Sequence, residues 1–148
     1  MKLQSNSDAE TREIGHRLGE QLKRGDVVCL YGELGAGKTT MVKGIASALG
    51  IDERDITSAS FTIIAEYNIS VPFYHIDLYR VSSDEVPELG LQEYLGSDGI
   101  AVIEWAERAE GELPDKCISV ILNYNEDDTR EIEIKGISIG MPDLTGQE

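Results

Sequence analysis

A glycine-rich loop with one lysine and two threonines is the part of the chain best suited to chemistry. It reads GELGAGKTT and follows an apolar stretch. Gly32–Thr39 match the pattern G-x-x-x-x-G-K-[ST], in which backbone N–H groups surround phosphate oxygens. Lys38 has the position of the ammonium that contacts the β- and γ-phosphates, and Thr39 that of the hydroxyl that binds Mg²⁺. The loop predicts a site for a nucleoside triphosphate with Mg²⁺.

The elements around the loop are those that such a site requires. The apolar run Val27–Tyr31 predicts a buried strand before it, and the apolar spacing from Lys38 to Leu49 predicts a helix after it. The N-terminus of that helix presents free N–H groups and the positive end of the helix dipole to an anion. The alternative is a glycine-rich turn with a surface lysine, which the combination of strand, loop and helix makes the weaker interpretation.

Two carboxylates stand where apolar strands end. Asp77 closes FYHID, and Glu104 closes GIAVIE. Because ligands of open α/β sheets collect at the carboxyl ends of the strands, both acids are expected beside the loop. Glu104 has the cleaner pattern of a Mg²⁺ ligand, and Asp77 is the candidate for orienting water. For each the alternative is a solvated acid at a strand end.

Other candidates are less specific. His75 lies two residues before Asp77 and therefore on the same side of its strand, and a hydrogen-bonded structural role is favoured over a catalytic one. Trp105, the single tryptophan, suits stacking on a base or partner as well as covering the core. Three arginines are candidates for balancing phosphate charge or are ordinary surface residues: Arg80, Arg108 and Arg130.

Helices alternate with buried strands along the chain, which predicts an α/β domain with a mainly parallel sheet. Two candidate hairpins indicate that the sheet is mixed. The first helix is expected over 7–22, with Ser7 and Glu10 at capping-box spacing. Further strands are expected in SASFTIIAEYNI, FYHIDLYR, Ile100–Ile103, CISVILNY and REIEIKG, and one or two short helices in 83–95.

Composition limits the remaining classes. The 148 residues suit one domain, expected over 1–136 with a tail over 137–148. A net charge of −15 argues against direct binding of DNA or RNA. No membrane span or signal peptide is evident, and Cys29 and Cys117 are expected to be buried free thiols. These features favour the cytoplasm.

Four blocks of sequence, in order, carry a resemblance to a known family. GELGAGKTT, SASFTIIAEY, HIDLYR and IEW resemble the TsaE family, bacterial P-loop ATPases of tRNA threonylcarbamoyladenosine (t6A) biosynthesis. The resemblance implies a three-layer P-loop domain that binds ATP with Mg²⁺ and is a weak ATPase alone. It also implies the partners TsaB and TsaD, which form threonylcarbamoyl on N6 of adenosine 37 in ANN-decoding tRNAs. Contact with tRNA is then only indirect.

The resemblance also assigns residues. It implies that Lys38, Asp77 and Glu104 are catalytic and that Thr39 and Glu104 bind the metal. It further implies a nucleotide-binding set that begins, with a looser match, on the first helix. With the residues of the glycine-rich loop and the candidate Arg130, the expected set comprises Asp8, Thr11, Leu34, Gly35, Ala36, Gly37, Lys38, Thr39, Thr40, Trp105 and Arg130.

One segment departs from the family pattern. Where the family has Ser-Pro-Thr, this chain has Ser58-Ala59-Ser60, so a proline that restricts the backbone is absent. The hypothesis is that the Ser60 hydroxyl replaces that of the family threonine as a contact to the γ-phosphate or to water on Mg²⁺.

Two other functions remain as alternatives. A small-molecule P-loop kinase would need a lid carrying arginine, and 82–99 contains neither arginine nor lysine. A binding module in which ATP orders the fold would not depend on hydrolysis. A GTPase is disfavoured because no N-K-x-D-type segment is present.

Overall fold

The computed structural model describes residues 1–33, 35–56 and 63–140, and these form one sheet with helices on it. The strands are β1 (Lys2–Ser5), β2 (Val27–Tyr31), β3 (Ile64–Tyr67), β4 (Phe73–Asp77), β5 (Ile100–Glu104), β6 (Ile118–Tyr124) and β7 (Arg130–Lys135). The α-helices are α1 (Asp8–Gly19) and α2 (Lys38–Ala48). Short 3₁₀ helices cover Glu53–Asp55, Val86–Leu89, Leu91–Glu93 and Ala106–Glu112.

The sheet is mixed. Its order is β1-β7-β6-β2-β5-β4-β3. The four neighbouring strands β6, β2, β5 and β4 run parallel to one another. The hairpins β3–β4 and β6–β7 are antiparallel, and β1 adds antiparallel to β7. The expected α/β fold with a mixed sheet and two hairpins is confirmed.

The sheet is covered on both faces, which gives three layers. Along β2, Val28 and Leu30 pack in the cluster that contains the apolar residues of α1 and α2. The alternate residues Val27 and Cys29 pack in a second cluster with residues of the 3₁₀ helices. A continuous apolar run is what a strand buried on both faces requires.

The N-terminus of α1 is held by side chains. Ser7 Oγ accepts the N–H of Glu10 at 3.1 Å, as the capping-box spacing predicts. The Glu10 carboxylate in turn accepts the N–H of Asn6 at 3.0 Å, one residue earlier than in the standard box. The helix ends at Gly19, three residues before the predicted end at 22.

Glycines allow α1 and α2 to pack backbone to backbone. A Cβ added to Gly44 would lie 2.2 Å from the carbonyl oxygen of Arg12, and one added to Gly15 would lie 2.5 Å from that of Met41. Both distances are far below van der Waals contact, and the obstacle is backbone in each case. The contact fixes the helix that follows the glycine-rich loop against its neighbour.

We expect Gly44→Ala to lower the free energy of unfolding by about 1–3 kcal/mol, because an inserted methyl group overpacks the helix contact. Urea unfolding followed by circular dichroism measures the change. The matched control is Gly111→Ala, where an added Cβ meets nothing within 4 Å. Equal stability of the two variants would contradict the tight packing of α1 on α2.

Some elements differ from the expectations. The first strand was not predicted, since Lys2–Ser5 is short and mostly polar. Ile139 is buried, and the domain boundary at 136 stays a prediction. Cys29 is buried and Cys117 half-buried, both as free thiols. Within the described ranges, none of the helices has the length and apolar content to cross a lipid bilayer.

Candidate functional site

The glycine-rich loop connects the end of β2 to the start of α2 and turns with left-handed backbone angles. Gly35 and Gly37 have φ values of 85° and 105°. These angles disfavour side chains with a Cβ, so this path favours glycine at both positions, of which Gly37 is fixed by the pattern. Gly37 is the N-cap of α2, and the first N–H groups of that helix have no partner within it. The loop therefore ends in donors suited to an anion.

Lys38 begins α2 and is turned back over the loop. Its ammonium donates to the carbonyl oxygen of Gly32 and, at 2.8 Å, to that of Glu33. It also lies 4.2 Å from the ring centroid of Trp105. Burial lowers the pKa of Lys38, and the nearby carboxylates, Glu104 first, act in the opposite direction. A buried cation held by weak neutral acceptors is available to a stronger anionic partner.

Thr39 is paired with the acid at the end of β5. Its hydroxyl donates to Glu104 Oε1 at 3.1 Å. The parallel register explains the approach, because Glu104 is paired with Leu30 on β2 and with Asp77 on β4. Three strand ends therefore meet beside the first turn of α2. A hydroxyl and a carboxylate, both oxygen donors, form a pair that suits Mg²⁺.

Asp77 is the second acid of the group and is only 6% exposed. Its Oδ1 accepts the N–H of Tyr79 at 3.0 Å. Burial raises the pKa of Asp77, and the charge of Glu104 raises it further. A carboxyl whose pKa is raised towards neutrality suits a group that orients water or accepts a proton.

We expect Asp77→Asn to stabilise the empty protein at pH 7 by about 0.5–2 kcal/mol, the range that single stabilising substitutions commonly reach. The ionised carboxylate is disfavoured in the fold, so it lowers stability once the pH exceeds its ordinary pKa of 3.8. The gain should shrink as the pH falls through the raised pKa towards 3.8. Thermal unfolding in EDTA between pH 4.5 and 8 measures it.

Asp115 is exposed and provides the control for this substitution: Asp115→Asn should leave the thermal stability of the protein unchanged. A gain for Asp77→Asn that grew on acidification would contradict the assigned sign.

Trp105 follows Glu104 in a backbone conformation that is unusual for a bulky residue. Its φ and ψ are 59° and 42°. This left-handed conformation is sparsely populated by residues other than glycine, asparagine and aspartate. The ring packs beside Tyr79, with centroids 5.2 Å apart, and beneath the ammonium of Lys38. The strained turn directs the indole beneath the ammonium of the loop lysine.

These residues surround one cavity of about 400 Å³. Of the site residues predicted from the sequence, most of those that the structure describes line this cavity. The lining residues are Asp8, Gly35, Gly37, Lys38, Thr39, Thr40, Asp77, Tyr79, Glu104 and Trp105. Tyr79 was not predicted, although its spacing of two from Asp77, which itself follows His75 by two, could have indicated it.

Other predicted residues lie outside this lining. Thr11 is fully buried with its hydroxyl 2.8 Å from that of Ser5, and Ala36 is buried. Arg130 forms an ion pair with Asp8 at 2.9 Å, at the edge of the cavity. Leu34 and the 58–60 segment, including Ser60, lie outside the described residues.

The other two arginines have different surroundings. Arg108 donates to the backbone carbonyls of Leu78, Tyr79 and Val81. Its guanidinium also lies 5.1 Å from the ring centroid of Trp105. Arg108 therefore connects the segment after β5 to the turn after β4 by hydrogen bonds. Arg80 is exposed and does not line the cavity; among the described residues that do, Lys38 is the only cation.

Comparisons with known proteins identify a family for the chain. The family model for the threonylcarbamoyl adenosine biosynthesis protein TsaE matches residues 5–132. The chain is 42% identical to the tRNA threonylcarbamoyladenosine biosynthesis protein TsaE of Bacillus subtilis, over 93% of this chain and 86% of that protein. It is 42% identical to the protein of the same name from Treponema pallidum, over 90% and 99%. A crystal structure of Bacillus subtilis YdiB superposes with a TM-score of 0.78 at 39% identity, covering 93% of this chain and 86% of that one.

Proposed function

Because the chain belongs to the TsaE family, we propose that it binds and hydrolyses ATP to support the TsaB–TsaD complex in t6A formation. That complex would place threonylcarbamoyl on N6 of adenosine 37 of ANN-decoding tRNAs. We place this activity in the cytoplasm, where a chain with two free thiols is expected. The observation that carries the proposal is the convergence of Lys38, Thr39, Asp77 and Glu104 on one cavity.

In this proposal the loop residues bind the triphosphate. The phosphates draw the ammonium of Lys38 away from the carbonyls of Gly32 and Glu33, since charge-assisted hydrogen bonds are stronger than neutral ones. The N–H groups at the start of α2 donate to the same phosphates. The nucleotide thereby replaces contacts that the empty loop makes with itself.

The chemistry of the donors fits Mg²⁺. The hydroxyl of Thr39 and the carboxylate of Glu104 are hard oxygen ligands 3.1 Å apart, and both face the cavity. Magnesium bound there would neutralise charge that develops on the phosphate oxygens. Without it, Asp77 and Glu104 repel the triphosphate, so binding should depend on the cation.

Asp77 is the residue that we assign to the attacking water. Water attacks the γ-phosphorus, the bond to the bridging oxygen breaks, and ADP and phosphate leave. The raised pKa of Asp77 enables its carboxylate to accept the proton of that water or to hold the water in line. Trp105 and Tyr79 form the apolar side of the cavity and restrict the entry of other water.

A weak basal rate is expected because the cavity is short of positive charge. Of the lining residues that the structure describes, Lys38 is the only cation, and Arg108 is hydrogen-bonded to backbone carbonyls. P-loop hydrolases are commonly accelerated when a partner or a nearby segment supplies an arginine to the transition state. This deficit supports stimulation by TsaB–TsaD.

The test is ATP hydrolysis measured with and without TsaB–TsaD, alongside association of the three proteins in ATP and in buffer alone. A low rate that rises in the complex supports the proposal. Absence of both stimulation and nucleotide-dependent association would overturn it. Phosphate transfer to a small hydroxylated metabolite would favour a kinase instead.

A further inference from the structure

His75 lies beside the acid that we assign to Mg²⁺. It is 4% exposed, and its Nε2 lies 2.6 Å from Glu104 Oε2. The parallel register of β4 and β5 pairs Asp77 with Glu104, and His75 precedes Asp77 by two residues on the same face. One ligand atom from each of these three residues can be chosen so that all lie within 4.8 Å of one another.

The direction of this hydrogen bond follows from the chemistry of the pair. An ionised carboxylate only accepts, so Nε2 of His75 carries the hydrogen and donates it. Glu104 therefore has two donors: Thr39 lies closer to Oε1, at 3.1 Å, than to Oε2, at 3.4 Å, and His75 donates to Oε2. Thr39 would turn its hydroxyl oxygen to a metal, whereas the His75 bond can remain.

We propose that His75 is a positioning residue that holds the Glu104 carboxylate in the orientation needed to bind Mg²⁺. The inference rests on the proposed function, because it concerns the same metal site. Mg²⁺ requires near-octahedral geometry with short bonds, so a freely rotating carboxylate binds it less well. Groups that orient metal ligands commonly change metal affinity when they are replaced.

His75 itself is a poor choice as the Mg²⁺ ligand. Imidazole suits zinc, copper, iron or nickel, while carboxylate, carbonyl and water suit magnesium. The Glu104 carboxylate also links the two side chains: it is hydrogen-bonded to Nε2 of the buried His75 and to the hydroxyl of Thr39. His75 therefore acts through Glu104.

The experiment measures the affinity of a non-hydrolysable ATP analogue at increasing Mg²⁺ and, separately, in EDTA, by calorimetry. His75→Leu retains similar bulk without a donor, and His75→Gln restores a donor near the position of Nε2. We expect His75→Leu to require about 10–100-fold more Mg²⁺ for half-maximal enhancement of binding. His75→Gln should recover most of this loss, with affinity in EDTA unchanged in both.

His16, the other histidine, provides the matched control. It bonds Ser47 on α2 and does not line the cavity, so His16→Asn should keep the wild-type Mg²⁺ dependence. A wild-type Mg²⁺ dependence in His75→Leu would overturn the inference while leaving the proposed function intact.

Two further outcomes would also overturn it. Weakened binding of His75→Leu in EDTA would indicate general damage to the site. A second such outcome has two parts: His75→Gln does not recover the Mg²⁺ dependence of binding, and the wild-type protein prefers Mn²⁺ to Mg²⁺. Together they would indicate that His75 binds the metal itself. If the wild-type protein bound no nucleotide at any Mg²⁺ concentration, the proposed function would fail as well.

Discussion

Lys38→Ala should weaken ATP binding by about 10²-fold or more, because each hydrogen bond to a charged group contributes roughly 1.5–3 kcal/mol and the ammonium makes several. In the empty protein this ammonium contacts two loop carbonyls and the indole of Trp105. Under the proposed function, those contacts would be exchanged for phosphate oxygens when nucleotide binds. Isothermal titration with ATP and Mg²⁺ measures the loss.

Lys43→Ala is the control for the lost charge, since Lys43 lies on the same helix but does not line the cavity. It should bind ATP like the wild-type protein. Circular dichroism should show that Lys38→Ala remains folded, because the pKa of Lys38 is lowered by burial and its charge is costly in the empty fold. Equal affinity of the two variants would remove Lys38 from the nucleotide site.

The loop and its flanking elements were predictable because their signals are local. The apolar run of β2, the glycines and the apolar spacing of α2 are read from consecutive residues, and the structure has β2 at its predicted bounds. Such segments specify their own backbone conformation, largely independently of distant parts of the chain. The same holds for Ser7 and Glu10 at the start of α1.

Elements that depend on distant partners were harder to predict. The strand β1 has four residues with two exposed side chains, and only its pairing with β7 makes it a strand. The turn that carries Trp105 adopts a strained conformation imposed by the segments around it. Neither feature has a signature in its own short sequence.

The site divides in the same way. The rule that ligands gather at the carboxyl ends of strands predicted that Asp77 and Glu104 lie near the loop. The contact of His75 with Glu104 depends on the relative register of β4 and β5. Register is set by packing across the sheet, so the sequence indicated the side of the strand that His75 faces but not its partner.

Glu104→Gln should lower the rate of ATP hydrolysis by about 10²-fold or more, the usual effect of removing a group that stabilises charge in the transition state. The amide cannot supply the negative charge that, in the proposed function, would hold Mg²⁺ beside Thr39. The affinity for ATP in EDTA should instead rise. Glu104 repels the triphosphate when no cation is present, so its neutral replacement should bind metal-free ATP more tightly.

Glu107→Gln separates this role from the effect of charge alone. Glu107 is exposed and near enough to raise the pKa of Lys38, yet it does not line the cavity. It should keep hydrolysis near the wild-type rate in a phosphate-release assay. If both variants lost activity equally, the general field of the acids would explain the result. If Glu104→Gln kept the wild-type rate, Glu104 would not be the metal ligand. Only a loss confined to Glu104→Gln, with tighter binding in EDTA, supports coordination of Mg²⁺ by this carboxylate.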